Sequence, residues 1–243
     1  MPDTNATHTR ILDAAERLFA RSGYDAVSIR EIMREADTQL GLMSYYFASK
    51  EALLEAVVAR RSSHLNDRRR ARLAIIAGTA ESSIEQIVDV LLAPFFELVS
   101  EEGEAWKSYA KLNAQLAQSP RWSGLIKENF DDMTTLLIDE LERIVPGVAR
   151  ADILRAFVIA IGAMLAVLAT SGRMRSLSNG YVLDEDFDAI RPQLGEFMSG
   201  GLRQALGLSR PERSLNDNHS PAVIGSEHER TEGGRANRVD HAG

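Results

Sequence analysis

The chain has no cysteine among its 243 residues. That excludes disulfides and thiolate metal sites and suits a reducing compartment, so a cytoplasmic location is expected. Aromatic residues are scarce, at 6%, while alanine and leucine abound, which favours helices over strands. No segment alternates apolar and polar residues with the period of two that a half-buried strand requires, and no internal repeat is evident. Positive charge is not in excess either. The formal net charge is −7 and residues 1–50 lie close to neutral, which excludes a general nucleic-acid coater. Any DNA binding must come from local placement of Arg10, Arg30, Lys50 and helix N-termini. The longest uncharged apolar run, residues 156–171, falls short of the roughly 20 residues a membrane span needs, and no membrane partner is expected. Residues 1–9 are polar, unlike a secretory leader.

The residues of catalysis are also missing. His8 and His64 are the only histidines before the polar C-terminal stretch. No His–carboxylate metal spacing, glycine-rich phosphate loop or Gly-x-Ser-x-Gly elbow occurs. Glu101, Glu102 and Glu104, and the pair Asp131 and Asp132, read as solvated helix ends. The expectation is a protein that is not an enzyme, with no catalytic residues, no metal site and no cofactor.

What is present is organised around residues 28–51, SIREIMREADTQLGLMSYYFASKE. Ser28 and Glu31 have the spacing of a capping box. Ile29, Ile32, Met33 and Ala36 follow at helical spacing. Asp37 and Thr38 favour a turn, since short polar side chains compete for backbone hydrogen bonds. A second short helix is expected over residues 39–46, and Ser49 caps a third. Two short helices joined by a tight turn form a helix-turn-helix, whose second helix enters the DNA major groove. Ile32, Ala36, Leu42 (or Met43) and Phe47 can bury. Gln39, Leu40, Gly41, Ser44, Tyr45 and Tyr46 are left for an outer face. An amide such as Gln39 pairs with base edges, tyrosine hydroxyls bond phosphates, and Gly41 permits close approach.

The rest of the chain reads as successive helices. Thr7 or Thr9 opens the first after a loose arm, with Ile11, Leu12, Ala15, Leu18 and Phe19 as its stripe and Gly23 as its stop. Tyr24 reads as core. The helix from Ser49 runs past Leu73, and its Arg60, Arg61, Arg68, Arg69, Arg70 and Arg72 read as a solvated face. Gly78 and Thr79 end it. Ser82 or Ser83 opens the next helix, kinked by Pro94 and ended by Gly103. Further helices are expected over residues 105–118, 121–145, 151–174 and 185–206. The fourth of this set, counting from Ser82, is apolar on all sides and must be covered all round, partly by a second subunit. Residues 209–243 carry almost no apolar side chains and are expected to be disordered.

The run ILDAAERLFARSGYDAVSIREI, then the turn, then YYFASKEALLEAVV, resembles the N-terminal domain of the TetR family of bacterial transcriptional regulators. Leu18, Phe19, Gly23, Tyr24, Ser28, Ile29, Ile32, Gly41, Tyr45, Tyr46, Phe47, Ser49, Lys50, Glu51 and Leu53 carry the likeness. It spans about residues 10–58. Where the family often has Gly-Val-Ser-Lys, this chain has Asp37, Thr38, Gln39 and Leu40. Where it has Thr-Leu-Tyr, this chain has Leu42, Met43 and Ser44, so that a basic and an aromatic contact are lost and Met43 takes the buried leucine place.

The resemblance implies an all-α protein. An arm (residues 1–6) precedes a helix-turn-helix domain (7–50), a helical ligand-binding and dimerisation domain (51–208) and a polar tail (209–243). It implies a homodimer on a near-palindromic double-stranded operator, acting most often as a repressor and released by a small hydrophobic effector. The DNA-binding candidates are Ser28, Arg30, Gln39, Leu40, Gly41, Ser44, Tyr45, Tyr46 and Lys50. The effector-pocket candidates are Phe95, Phe96, Trp106, Tyr109, Asn113, Phe130, Met133 and Met164, which mix aromatic, thioether and amide groups as interhelical pockets do. The rival reading is a helical hydrophobe-binding or interaction protein without sequence-specific DNA binding.

Overall fold

In the computed structural model, which describes residues 4–79 and 82–208, every regular element among the described residues is helical. Helix α1 (Thr4–Ser22) buries the expected stripe of Ile11, Leu12, Ala15, Leu18 and Phe19. It starts earlier than expected. Residues 4–6 are already helical, and Thr7 is buried within the helix, so neither a loose arm there nor a cap at Thr7 exists. Gly23, at φ +80°, takes the left-handed stop, and its N–H donates to the Phe19 carbonyl at 2.9 Å.

Helix α2 (Ile29–Glu35) opens with the capping box that its sequence announces. The Glu31 N–H donates to Ser28 Oγ at 3.2 Å, and the Ser28 N–H donates to Glu31 Oε2 at 2.7 Å. Asp37, at φ +49°, makes the turn. Helix α3 (Leu42–Tyr46) is three residues shorter than the expected 39–46. Residues 39–41 instead form a tighter turn, in which the N–H groups of Leu42 and Met43 donate three positions back, to Gln39 and Leu40. Met43 is buried and Leu42 only partly, which settles the alternative between them.

Helix α4 (Lys50–Ile76) is capped by Ser49, whose Oγ accepts from the Ala52 N–H at 3.0 Å. Its first half buries Leu53, Leu54, Val57 and Val58 against α1 to α3, and its second half buries Leu65 and Leu73 in a separate core. The arginines along it are not a solvated face. Arg60 and Arg61 pair with Glu16, Arg61 also with Glu102, Arg68 with Glu101, Arg70 with Asp67, and Arg72 with Asp89 and Glu97. Arg69 is buried altogether. Apart from Asp67 on α4 itself, these carboxylates come from α1 and from residues 84–102, so residues distant in sequence neutralise most of the run. Glu101 and Glu102 are likewise not free helix ends.

Helix α5 (Ile84–Glu102) begins at Ser83, which forms a capping box with Gln86, and runs on through Pro94 to Gly103 at φ +65°. Helix α6 (Glu104–Ala117) follows. A 3₁₀ turn (Pro120–Trp122) then precedes α7 (Ser123–Ile144), where a single helix from residue 121 was expected. Helix α8 (Arg150–Leu168) stops six residues before the expected 174. Thr170, at φ +42°, and Gly172, at φ +76°, break the backbone, and a short α9 (Arg173–Leu177) follows. An Asn179–Gly180 turn with both φ positive leads to α10 (Phe187–Ala205), capped by Asp186.

The apolar side chains form two cores. One joins α1 to α4 with Leu112 and Leu116 of α6 and Leu125 of α7. The other is built from α4 to α8 and α10. Helix α6 thus serves both, with Trp106 and Tyr109 in the second core and Leu112 and Leu116 in the first. Helix α8 is not covered all round. Ile153, Ala156, Phe157, Ala160, Met164 and Leu168 are buried, while Leu154, Val158 and Ile159 face out. By length and composition α8 alone among the described residues could cross a membrane, which corrects the expectation drawn from its uncharged run. The tail expected to be disordered lies outside the described residues.

Candidate functional site

The helix-turn-helix splits its side chains between core and surface. Ile32, Met33, Ala36, Met43 and Phe47 are buried. Gln39, Leu40, Gly41, Ser44 and Tyr45 are exposed on the turn and α3, and Arg30 is exposed on α2. Tyr45 is 72% exposed, the extreme for an aromatic in this region. Its ring meets that of Tyr46 edge-on at 4.8 Å. His8 stacks on Phe47 at 5.1 Å and leans on Tyr46 at 5.5 Å, so the start of α1 buttresses the end of α3. The sequence flagged His8 only as a failed metal ligand. Its place beside the aromatic pair depends on two segments far apart in the chain.

Two candidates are partly committed to structure. Ser28 spends its hydroxyl and N–H on the Glu31 carboxylate, which these bonds hold below the usual carboxylate pKa. Its exposed position leaves it at the rim of the face. Lys50 directs its ammonium over the Tyr24 ring at 4.1 Å. Arg121, from the 3₁₀ turn, packs on the same ring at 5.1 Å and pairs with Asp25 at 2.9 Å and Glu51 at 3.3 Å. Burial and the neighbouring Glu51 carboxylate push the Tyr24 hydroxyl pKa upward. Lys50 and Arg121 both meet the Tyr24 ring by cation–π contact. The joint ties the reading head to the segment between α6 and α7.

The pocket candidates converge on the second core. Phe95, Phe96, Trp106, Tyr109, Met133 and Met164 are buried there, and Phe130 packs at the border of both cores. Phe96 also lines a surface cleft of about 420 Å³ with Phe187 and Arg191. Three of the candidates have unsatisfied polar atoms in the interior: Trp106 Nε1, Tyr109 Oη and Asn113 Oδ1. All three lie on α6 at spacings of three and four residues, hence on one face. Buried polar atoms nearly always find a partner, so three orphans on one helix face set this part of the interior apart. Sequence reasoning missed Arg69, which lies beside Tyr109 in the same interior and was grouped with the surface arginines.

A helix-turn-helix head with a bare outer face, continuous with a helical body that has a polar-lined interior, defines a class of ligand-sensing DNA-binding proteins. Residues 11–57 match the family described as bacterial regulatory proteins, tetR family, and residues 89–201 match the tetracyclin repressor-like C-terminal domain. The chain belongs to the TetR family of DNA-binding transcriptional regulators, which are not enzymes. It is 34% identical over 56 residues to the HTH-type transcriptional regulator UidR of Escherichia coli K12, a match covering 23% of this chain and only 29% of that protein. The fold resembles a TetR-family transcriptional regulator from Bordetella parapertussis, at TM-score 0.58 and 20% identity over 81% of this chain and 95% of that one. It also resembles FadR from Bacillus subtilis, solved in complex with stearoyl-CoA, at TM-score 0.53 and 16% identity over 79% and 98%.

Proposed function

We propose that this protein is a cytoplasmic, homodimeric repressor that binds a near-palindromic operator and is released by a small hydrophobic effector. Residues 7–50 read DNA, and residues 51–208 hold the effector and form the dimer. The observation that carries the reading is the division of the turn and α3: Met43 and Phe47 are buried, while Gln39, Leu40, Gly41, Ser44 and Tyr45 stand clear of every core. Small, amide and phenol groups on a convex face suit base edges and phosphates. The N-terminus of the long α4 adds a positive dipole end beside Lys50 for a phosphate. Two-fold symmetry places half-sites about 34 Å, or a multiple of it, apart.

The dimer is supported by apolar side chains left bare on the two helices that close the body. Leu154, Val158 and Ile159 of α8 and Phe197 of α10 are between 41% and 73% exposed. An exposed apolar patch of this kind marks an association surface. The effector acts by population shift, favouring a dimer whose heads no longer match the half-site spacing, to the extent of its differential affinity for the two states.

Selection of bound DNA from a random duplex pool at about physiological salt tests the reading. Enrichment of an inverted repeat is the expected result. Recovery of no sequence by folded dimer, with and without candidate effectors, would favour the hydrophobe carrier that lacks sequence-specific DNA binding.

A further inference from the structure

The most unusual charge in the molecule is that of Arg69. It is 5% exposed, and among the described residues no carboxylate pairs with it. Its Nε and Nη2 donate to the Leu91 carbonyl at 3.1 and 2.8 Å, and its Nη1 reaches Asn66 Oδ1 at 3.4 Å. These three bonds leave two of the five guanidinium N–H donors without an acceptor. Pro94, which lacks the N–H that would bond the Val90 carbonyl, interrupts the helical ladder one residue before Leu91. Burial pushes the Arg69 pKa down to about 10, so the group stays cationic at neutral pH.

A buried cation with only neutral partners is costly, and an anion brought against it would offset that cost. Tyr109, whose hydroxyl has no partner, lies close enough for its charge state to feel Arg69. Trp106 meets Tyr109 edge-on at 5.5 Å and contributes a further orphan N–H. Against one orphan acceptor, Asn113 Oδ1, stand the Trp106 N–H, the Tyr109 hydroxyl and the two free Arg69 N–H groups, so the cluster offers donors in excess of acceptors. Phe95, Met133 and Met164 belong to the same apolar core, and thioether side chains repack readily around a chain of varied length.

We propose that the effector is an amphiphilic acid, its carboxylate seated on the free donors of Arg69 and Tyr109 and its hydrocarbon part among Phe95, Met133 and Met164. This rests on the effector-site reading above and names the chemistry of the ligand. The guanidinium fork takes a carboxylate bidentately, and water exclusion strengthens both bonds.

The test titrates the full-length protein with sodium decanoate, 1-decanol and decylamine hydrochloride at neutral pH, read by tryptophan fluorescence and by Tm. Decanoate is expected to bind saturably and about tenfold or more tighter than 1-decanol, as a charge-assisted bond predicts, with decylamine weaker still. Arg69→Met, which keeps much of the volume, is expected to abolish the preference for acid over alcohol. Where that variant fails to fold, Arg69→Lys, which keeps the charge without the fork, is expected to shrink it. Tyr109→Phe is expected to weaken decanoate several-fold and leave 1-decanol unchanged. Equal binding of acid and alcohol, or a preference that survives Arg69→Met, overturns the head-group assignment and leaves the effector site standing. Binding of none of the three overturns the assignment and removes the support for an interior effector site as well.

Discussion

Tyr45 is the residue whose role is most sharply posed. Its ring contributes nothing to the core and rests only on Tyr46. Tyr45→Ala is therefore expected to leave helicity and Tm unchanged and to weaken operator binding about tenfold, in line with the loss of one good contact to DNA. A mobility-shift titration checks this, and a fall in Tm would instead mark Tyr45 as part of the packing. Titration of partnered carboxylates makes a second prediction. Glu140 is held below its ordinary pKa by the Arg143 guanidinium, Glu85 by Arg203, and Asp184 by the N–H groups of Arg175 and Met174. Their folded pKa values lie below the unfolded ones, so the stability they contribute is complete above about pH 5 and is lost as the pH falls through the folded values. Denaturant midpoints are expected to be flat with respect to these groups from about pH 5 to 8 and to decline below about pH 4. A midpoint that rose on acidification would contradict the assignment.

At the scale of elements, the contact of α1 with α4 is electrostatic as well as apolar. Glu16 is 1% exposed and accepts from both Arg60 and Arg61, at 3.2 and 2.9 Å, while Arg61 continues to Glu102 on α5. Glu16→Gln leaves two arginines facing an amide in a largely dry site, and a loss of about 3 kcal/mol is expected from chemical denaturation. A change under about 1 kcal/mol would mean the network behaves as a surface one. The helix boundaries show which local signals speak for themselves. The Ser28–Glu31 capping box, the Gly23 stop and the Asp37 turn were legible, because each is closed by atoms within a few residues, whereas the cap at Ser83 stood open against Ser82. The end of α8 was not. After Leu168 the chain runs Ala-Thr-Ser-Gly-Arg-Met, and the positive φ of Thr170 and Gly172 puts Met174 in a different helix.

At the scale of the whole molecule, α8 and α10 present apolar side chains that nothing among the described residues covers. Ile159→Glu, at a position 73% exposed, is expected to leave the protomer folded and convert a dimer to a monomer, read by light scattering after gel filtration. Operator affinity should fall with it, since one head grips one half-site. An unchanged dimer would place the two-fold axis elsewhere. The low positive charge has its counterpart at this scale: a chain of net charge −7 is expected to bind non-operator DNA weakly and lose that binding readily as salt rises.

The amino-acid sequence by itself determined the class. Helix periods, caps and turn residues are local, and the order of residues 18–53 is specific enough to identify the reading head. It also placed the effector candidates in one core, because apolar stripes on successive helices have few ways to meet. Three things were decided only by tertiary structure. His8 became a support for the aromatic pair of α3. Arg121 and Lys50 closed on Tyr24 across some seventy residues. Arg69, one of six similar arginines on one helix, was singled out by burial. A sequence lists charges without their partners. The carboxylates that neutralise five of those arginines lie on the neighbouring helices and on α4 itself, and folding leaves the sixth, Arg69, in the interior without one.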